Sequence, residues 1–359
     1  MTTKLISTGT AIRDGIAEAG KHNKDVILFA EGLDDPSAVY GTTKDLVEIY
    51  GEDRMIEMPI SENGLCGVAI GAAMMGKRPV ISFHRVEFAL LALEQIFNNA
   101  AKSHYISNGQ HKVPLVIRAI IGRGWGQGPE HSQSLETLFS YIPGLKVVMP
   151  TFPNDAKGMI ISAIEDENPV IVLEHRWCHY ITGDVEDGYI KSDLIHPAKI
   201  RAGKDFTLVA SSFMVIEAIQ ACEQLKKFGI SVELFDLRVL RPLNLEKIIE
   251  SVGNTGRLLT VDTGFKTLGI GAEIVSEVVA VKFKALKSAP IRLGLPDHPL
   301  PSSVGYIDGL YVDSVKIFKT IATTLELTQS QIAEGATSLL ESRSKVPLDI
   351  PDPSFKGPF

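Results

Sequence analysis

A chain of 359 residues, 45% hydrophobic and 22% charged, is long enough for about two domains with buried cores. Its net charge of −7 argues against general nucleic-acid binding. Three widely spaced cysteines (Cys66, Cys178, Cys222) supply neither a disulfide framework nor metal-ligand spacing, no apolar run approaches the roughly 20 residues of a membrane span, and the N-terminus lacks a signal-peptide core, so a cytoplasmic protein is expected.

Residues 8–22 read as a helix with Ile12, Ile16 and Ala19 on one face. The buried-strand run Val26-Ile27-Leu28-Phe29-Ala30 ends at Glu31, and Asp34-Asp35-Pro36 marks a turn in the irregular loop 32–43. A short helix over 45–50 and a short strand over 54–60 lead to Ser61, a residue type that caps helices. Glu62 then heads a run with no charged residue before Lys77, in which Gly64, Gly67 and Gly71 share one helix face. Glycines weaken a helix, so three on one face imply that another backbone or a ligand comes close. Next come strand 79–84, one long helix over 87–105 with Phe88, Leu91 and Ile96 on its apolar face, and strand 113–121. A loop carrying Gly122, Gly124, Gly126 and Gly128 runs to His131, followed by helix 134–142, strand 146–149, helix 155–165 and strand 169–174.

Strands alternating with helices predict an α/β fold with a doubly wound, mainly parallel sheet, whose ligands sit beyond the carboxyl ends of strands. Glu31, Glu62, the loop before His131 and His175 all follow strands directly, so they are expected to converge on one edge. Between residues 177 and 204 the pattern dissolves. A second alternation from Asp205 (strands 206–211, 231–237, 257–262 and 291–295; helices 215–228, 245–252, 272–286 and 312–325) predicts a smaller α/β domain. The expected organisation is a first domain over 1–188, a linker over 189–204, a second domain over 205–327, and a polar helix with a proline-rich tail over 328–359.

Two readings stand for Glu62: a carboxylate aimed at a cofactor, or an N-terminal acid favoured by the helix dipole. His131, on a glycine-rich loop beyond a strand, suits proton transfer or caps the next helix. Gly122 to Gly128 lacks the Gly-Lys-Ser/Thr ending of a phosphate loop, and Gly264 to Gly271 lacks the dinucleotide spacing, although its amides offer an anion site. Glu174-His175-Arg176-Trp177 reads as a substrate-facing edge or a domain-interface cluster, and His84-Arg85 as an anion reader or a solvated ion pair.

Several of these pieces form a set. Pro59-Ile60-Ser61-Glu62, Phe88, Asn99-Ala100-Ala101-Lys102, His131-Ser132-Gln133 and Pro143-Gly144-Leu145-Lys146-Val147-Val148 with Pro150 keep a constant order. With Asp155-Ala156-Lys157-Gly158, Asn168-Pro169-Val170 and Leu240-Arg241-Pro242-Leu243 they resemble the β subunit of thiamine diphosphate-dependent 2-oxo acid dehydrogenases, the class of the pyruvate, branched-chain and acetoin enzymes. The resemblance spans about Ile12 to Leu325 and implies a transketolase-like pyrimidine-binding domain followed by a transketolase C-terminal domain.

It further implies that Glu62 is the catalytic glutamate that shares a proton with the cofactor's pyrimidine and so activates it for decarboxylating a 2-oxo acid. Phe88 matches the aromatic residue packed on the pyrimidine, Ile60 a backbone contact beside it, and Glu31 a second acid near the cofactor. His131 matches the histidine that handles protons of the substrate or of a lipoyl acceptor. Leu115, Ala163, Asp166 and Asn168 match positions that hold a monovalent cation, K⁺, in some members. The family binds the diphosphate through Mg²⁺ on a Gly-Asp-Gly motif, which this chain lacks; its one Gly-Asp pair continues Gly183-Asp184-Val185-Glu186. The implied partners are therefore an α subunit carrying that motif, a second β subunit in an α2β2 assembly, and a lipoyl-bearing acyltransferase, with the glycine face of the Glu62 helix as a subunit contact.

Where pyruvate enzymes have a Phe-Met-Thr-Phe-like segment, this chain has Phe83-His84-Arg85-Val86, which points to a larger or anionic 2-oxo substrate or a non-lipoyl acceptor. The alternatives are the C-terminal subunit of a split transketolase and a non-catalytic paralogue that binds the α subunit.

Overall fold

The computed structural model describes residues 2–33, 38–123 and 126–343. The turn expected at Asp34-Asp35-Pro36, the Gly124-Trp125 part of the glycine loop and the tail after Arg343 lie outside the described residues.

The N-terminus begins with a strand the periodicity does not announce, β1 (Thr3–Ser7), followed by α1 (Thr8–His22), which Ser7 caps through Thr10 N. Next come β2 (Val26–Ala30), α2 (Val47–Tyr50), β3 (Met55–Glu57), α3 (Glu62–Met74) and β4 (Arg78–Phe83). The long helix expected over 87–105 is broken into α4 (Val86–Ala89), a 3₁₀ turn (Leu90–Ala92), a π segment (Gln95–Ala100) and α5 (Ala101–Ile106). The i→i+5 spacing of the π segment lets Ile96, Ala100 and Ala101 all bury.

The first domain continues with β5 (Val116–Ile121), α6 (Glu136–Ser140), β6 (Lys146–Val148), α7 (Pro153–Glu165), β7 (Val170–His175) and β8 (Thr182–Glu186). β8 pairs with β1, which places the Gly183-Asp184 pair in a strand opposite Ile6 and Leu5. β9 (Ala198–Arg201), from the polar stretch before residue 205, joins the second sheet. After it come β10 (Phe206–Ala210), α8 (Phe213–Lys227), β11 (Val232–Asp236), β12 (Val239–Arg241), α9 (Glu246–Thr255) and β13 (Leu258–Phe265). The chain then forms α10 (Ile270–Lys282), β14 (Ile291–Leu295), α11 (Ser314–Thr324) and α12 (Gln329–Ser342).

The first sheet has the order β12-β6-β7-β5-β4-β2-β3 and is parallel except for its edge strand β12, which is antiparallel to β6. The second has the order β14-β13-β10-β11-β9, parallel except for β9. β2, β5 and β7 are buried along their whole length, the pattern of strands with helices on both faces. One apolar core covers a face of the first sheet and runs without interruption into the second domain through Val209, Phe235 and Ile274. The two domains therefore fold against each other, and β12, which follows the second-domain strand β11, completes the first sheet.

Candidate active site

Parallel pairing brings the carboxyl ends of β7, β5, β4, β2 and β3 to one edge as near neighbours, where some of the residues singled out from the sequence lie. Glu31 follows β2 and is half-buried; burial, then the nearby Glu62 charge, pushes its carboxyl above the ordinary range. Glu57, at the end of β3, accepts from Gly32 N and Leu33 N, both at 2.6 Å, and so holds the turn after Glu31. His84, after β4, reaches across with Nε2 2.7 Å from the Glu31 carbonyl.

Glu62 is the first residue of α3 and only 6% exposed, yet its carboxylate takes no hydrogen bond from the described residues. Ser61 does not cap this helix with its side chain, contrary to the expectation from its residue type. Its own carbonyl instead accepts Leu65 N at 2.8 Å, and its Oγ lies 2.9 Å from where a Cβ on Gly64 would sit. Beside Glu62, Ile60 is 83% exposed. The outer face of α3 continues that apolar surface: Gly64, Val68, Gly71 and Met75 are exposed at helical spacing, and a Cβ on Gly71 would meet nothing within 4 Å.

The glycine loop brings His131 to the same edge. Its ring stands edge-on to Phe88, 5.6 Å between centroids, and its Nδ1 is buried without a partner. The His131 carbonyl accepts from Arg85 Nη1 at 3.4 Å and Arg176 Nη2 at 3.3 Å. Gln133 N donates to Glu87 Oε1 at 2.8 Å, and Gly122 N to the Gln133 carbonyl at 2.9 Å. Burial raises the Glu87 carboxyl. Glu57 and Glu87 escape sequence reading because they act through backbone amides of segments far along the chain; the available signal was a carboxylate at a strand end or one turn into a helix.

His175 does not face this space. It stacks on Phe213 of the second domain, 5.4 Å between centroids, with Trp177 edge-on to the same ring. Burial, then the Arg123 charge, lowers its pKa to about 3, so it is a neutral packing group. The Glu174 to Trp177 cluster is thus mainly a domain interface, with Arg176 alone turned toward His131. Beneath it, Arg118 and Glu174 form a wholly buried two-pronged ion pair (2.6 and 3.0 Å), joined by His179, Ser82 and Thr42.

Leu115, Ala163, Asp166 and Asn168 are brought together, but at the opposite edge, before β5 and β7. There the Lys146 ammonium pairs with the Asp166 carboxylate, Arg78 donates to the Ile164 and Asp166 carbonyls, and Asn168 N donates to Asp166 Oδ1 at 2.9 Å. The amides at Gly264 and Gly271 are occupied by Glu136 and Asp262, so that turn offers no free anion site at these positions. Among the described residues no group of His, Cys, Asp and Glu could hold a metal ion, and no helix is long and apolar enough to cross a membrane.

Comparison with known proteins identifies the family of both domains. The family described as transketolase, pyrimidine binding domain matches residues 4–178, and that described as transketolase, C-terminal domain matches residues 197–312. The chain is 40% identical over 294 residues to the pyruvate dehydrogenase E1 component subunit beta of Rhizobium meliloti, covering 81% of this chain and 64% of that one. It is 38% identical over 322 residues to the acetoin:2,6-dichlorophenolindophenol oxidoreductase subunit beta of Cupriavidus necator, covering 87% and 94%. The mitochondrial pyruvate dehydrogenase E1 component subunit beta of Saccharomyces cerevisiae is 34% identical over 331 residues, covering 91% and 90%. A split-gene transketolase, described as an inactive tetramer of its beta chain, superposes with a TM-score of 0.71 at 22% identity, covering 92% of this chain and 98% of that one, which establishes likeness of fold.

Proposed function

This chain belongs to the transketolase-like family of 2-oxo acid dehydrogenase β subunits, with both family domains and relatives at 34–40% identity, and from that premise we propose that it is the cofactor-activating half of a thiamine diphosphate-dependent decarboxylase. The observation that carries the reading is the Glu62 carboxylate: nearly enclosed, without a hydrogen-bond donor among the described residues, close enough to Glu31 to raise its carboxyl, and at the edge of a parallel sheet beyond which ligands sit.

That donor set fits the aminopyrimidine end of the cofactor. A carboxylate lacking a donor suits a ring nitrogen that carries or exchanges a proton, Phe88 supplies an apolar ring, and Ile60 an exposed backbone shelf. Glu31 adds a second acid, whose carboxyl burial and the Glu62 charge raise above the ordinary range. When bound, thiamine diphosphate supplies the carbon nucleophile and the electron sink that decarboxylation of a 2-oxo acid needs. Glu62 would hold and return the proton at the pyrimidine, and His131, beside Phe88, would exchange a proton with the substrate.

The diphosphate end needs Mg²⁺ on hard oxygen ligands. The missing Gly-Asp-Gly, the Gly183-Asp184 pair locked in β8 and the absence of a ligand cluster among the described residues support an α partner that holds it. The apolar, side-chain-poor outer face of α3 beside Glu62 is a surface on which such a partner would seat, within an α2β2 assembly and with a lipoyl-bearing acyltransferase as acceptor. A monovalent cation on the carbonyls of Leu115, Ala163, Asp166 and Asn168 would be structural, since that group lies at the far edge from Glu62.

Calorimetric titration of thiamine diphosphate with Mg²⁺ should show tight binding only when the α partner is present. Glu62→Gln should abolish 2-oxo acid decarboxylation, by more than a hundredfold, while the complex still assembles in sedimentation. Tight binding to the chain alone, or turnover retained in the variant, would refute the reading.

A further inference from the structure

We propose that Arg85 and Arg176 form a subsite for a second anionic group on the 2-oxo acid, carried at the end of the molecule away from the carboxylate that leaves. The inference rests on the decarboxylase reading of the site and names its substrate class: a 2-oxo dicarboxylate.

Arg85 precedes α4 and is 4% exposed; among the described residues the one hydrogen bond of its side chain is the long contact to the His131 carbonyl. Arg176 follows β7 and is 7% exposed; it donates to the same carbonyl and to the Gln127 side-chain oxygen, and its buried Nε has no partner. Neither makes an ion pair among the described residues. The same fold shows how it satisfies a buried guanidinium when no ligand is needed: Arg118 receives both oxygens of Glu174. A guanidinium stays charged at any working pH, and an unpaired buried charge is costly. Two of them converging on one neutral carbonyl oxygen leave an excess of positive charge. Glu87, whose charge Arg85 feels without a direct ion pair, already accepts Gln133 N. An oxyanion beside His131 would receive donors from both forks.

The leaving carboxylate is the wrong occupant. It loses its charge on becoming carbon dioxide, so two cations clamped on it would stabilise the ground state more than the transition state and slow the reaction. A distal carboxylate keeps its charge throughout, and holding it there adds binding energy that also orients the keto carbon.

The test uses the complex with the α partner, thiamine diphosphate and Mg²⁺. In the Glu62→Gln background, so that bound substrate is not consumed, calorimetric titrations with 2-oxoglutarate and oxaloacetate are compared with pyruvate and 2-oxoisovalerate. Dicarboxylates should bind about tenfold or more tightly, and Arg85→Gln or Arg176→Gln should remove that preference, with Arg85→Lys keeping part of it. Equal or tighter binding of the monocarboxylates overturns the subsite, and this comparison needs no arginine variant to fold. Turnover by the unmutated complex separates the two levels. Decarboxylation of monocarboxylates alone refutes the subsite and leaves the decarboxylase reading intact. Failure to decarboxylate any 2-oxo acid refutes that reading, even if dicarboxylates bind selectively.

Discussion

Glu174 shows how much one buried side chain can organise. Its carboxylate is engaged by Arg118 through two nitrogens and by His179 Nε2 at 2.9 Å, while Arg118 also donates to Thr42 Oγ1 at 2.7 Å and Ser82 Oγ at 3.0 Å. Burial alone would raise the Glu174 carboxyl, but the Arg118 charge and the His179 hydrogen bond hold it well below the usual range. Glu174→Gln would leave a buried guanidinium without its counter-charge, so a loss of roughly 3–5 kcal/mol in denaturant-derived stability is expected. A loss under about 1 kcal/mol would show that the network is not structural. Other recurring residues prove to be packing contacts. Gly144 has φ +97°, and a Cβ there would lie 1.9 Å from the Ala101 carbonyl, so the Pro-Gly and Asn-Ala-Ala-Lys motifs meet in space. Their joint presence in the sequence was legible; that they touch was not.

At the level of elements, α3 combines a buried face built on Leu65, Cys66, Ala69 and Ala73 with an outer face of glycine and apolar residues. Gly71 sits on that outer face with open space around its Cβ position. Gly71→Leu should therefore leave the isolated chain as stable as before, or slightly more so by about 0.5–1 kcal/mol from helix propensity. The same change should block assembly with the α partner, read by size-exclusion chromatography with light scattering. Normal assembly of the variant would remove α3 from the interface. The break in the helix after β4 was not foreseeable from periodicity, because Phe88, Leu91 and Ile96 suit an α-helix equally well. Here Gln95, Asn99 and Glu94 bond among themselves, and Gln95 and Asn63 tie the π segment to the start of α3.

Across the whole molecule, the two domains are joined by a buried acid. Glu136, in α6, accepts Gly264 N of β13 at 3.0 Å and approaches Thr263 Oγ1 at 3.5 Å, while its Oε2 has no partner. Burial, with the Asp262 charge adding to it, raises its pKa to about 8, against about 6 for buried Asp262. Because the folded protein holds this proton where the unfolded chain has released it, the contribution of Glu136 is most favourable below its unfolded pKa and is lost as pH rises from near 5 through 8. Glu136→Gln keeps an acceptor for Gly264 N without the charge, so its denaturant-derived unfolding free energy should fall less between pH 5.5 and 8.5, by an amount on the order of a few kcal/mol. Parallel pH profiles for the variant and the unmutated chain would show that Glu136 is ionised when folded.

The alternation of apolar strands with amphipathic helices determined the α/β class, the parallel first sheet and the edge at which Glu31, Glu62 and His131 would meet, because side-chain periodicity and the hand of strand crossovers are local rules. Glu62 and its motif were likewise readable in one dimension, since strand end, helix start and carboxylate are contiguous. Tertiary structure alone decided that β12 crosses to the first sheet, that His175 packs on Phe213 while Arg176 turns to His131, and that Glu136 is buried against β13. Those outcomes depend on contacts between residues some 40 to 130 positions apart, which no local period encodes.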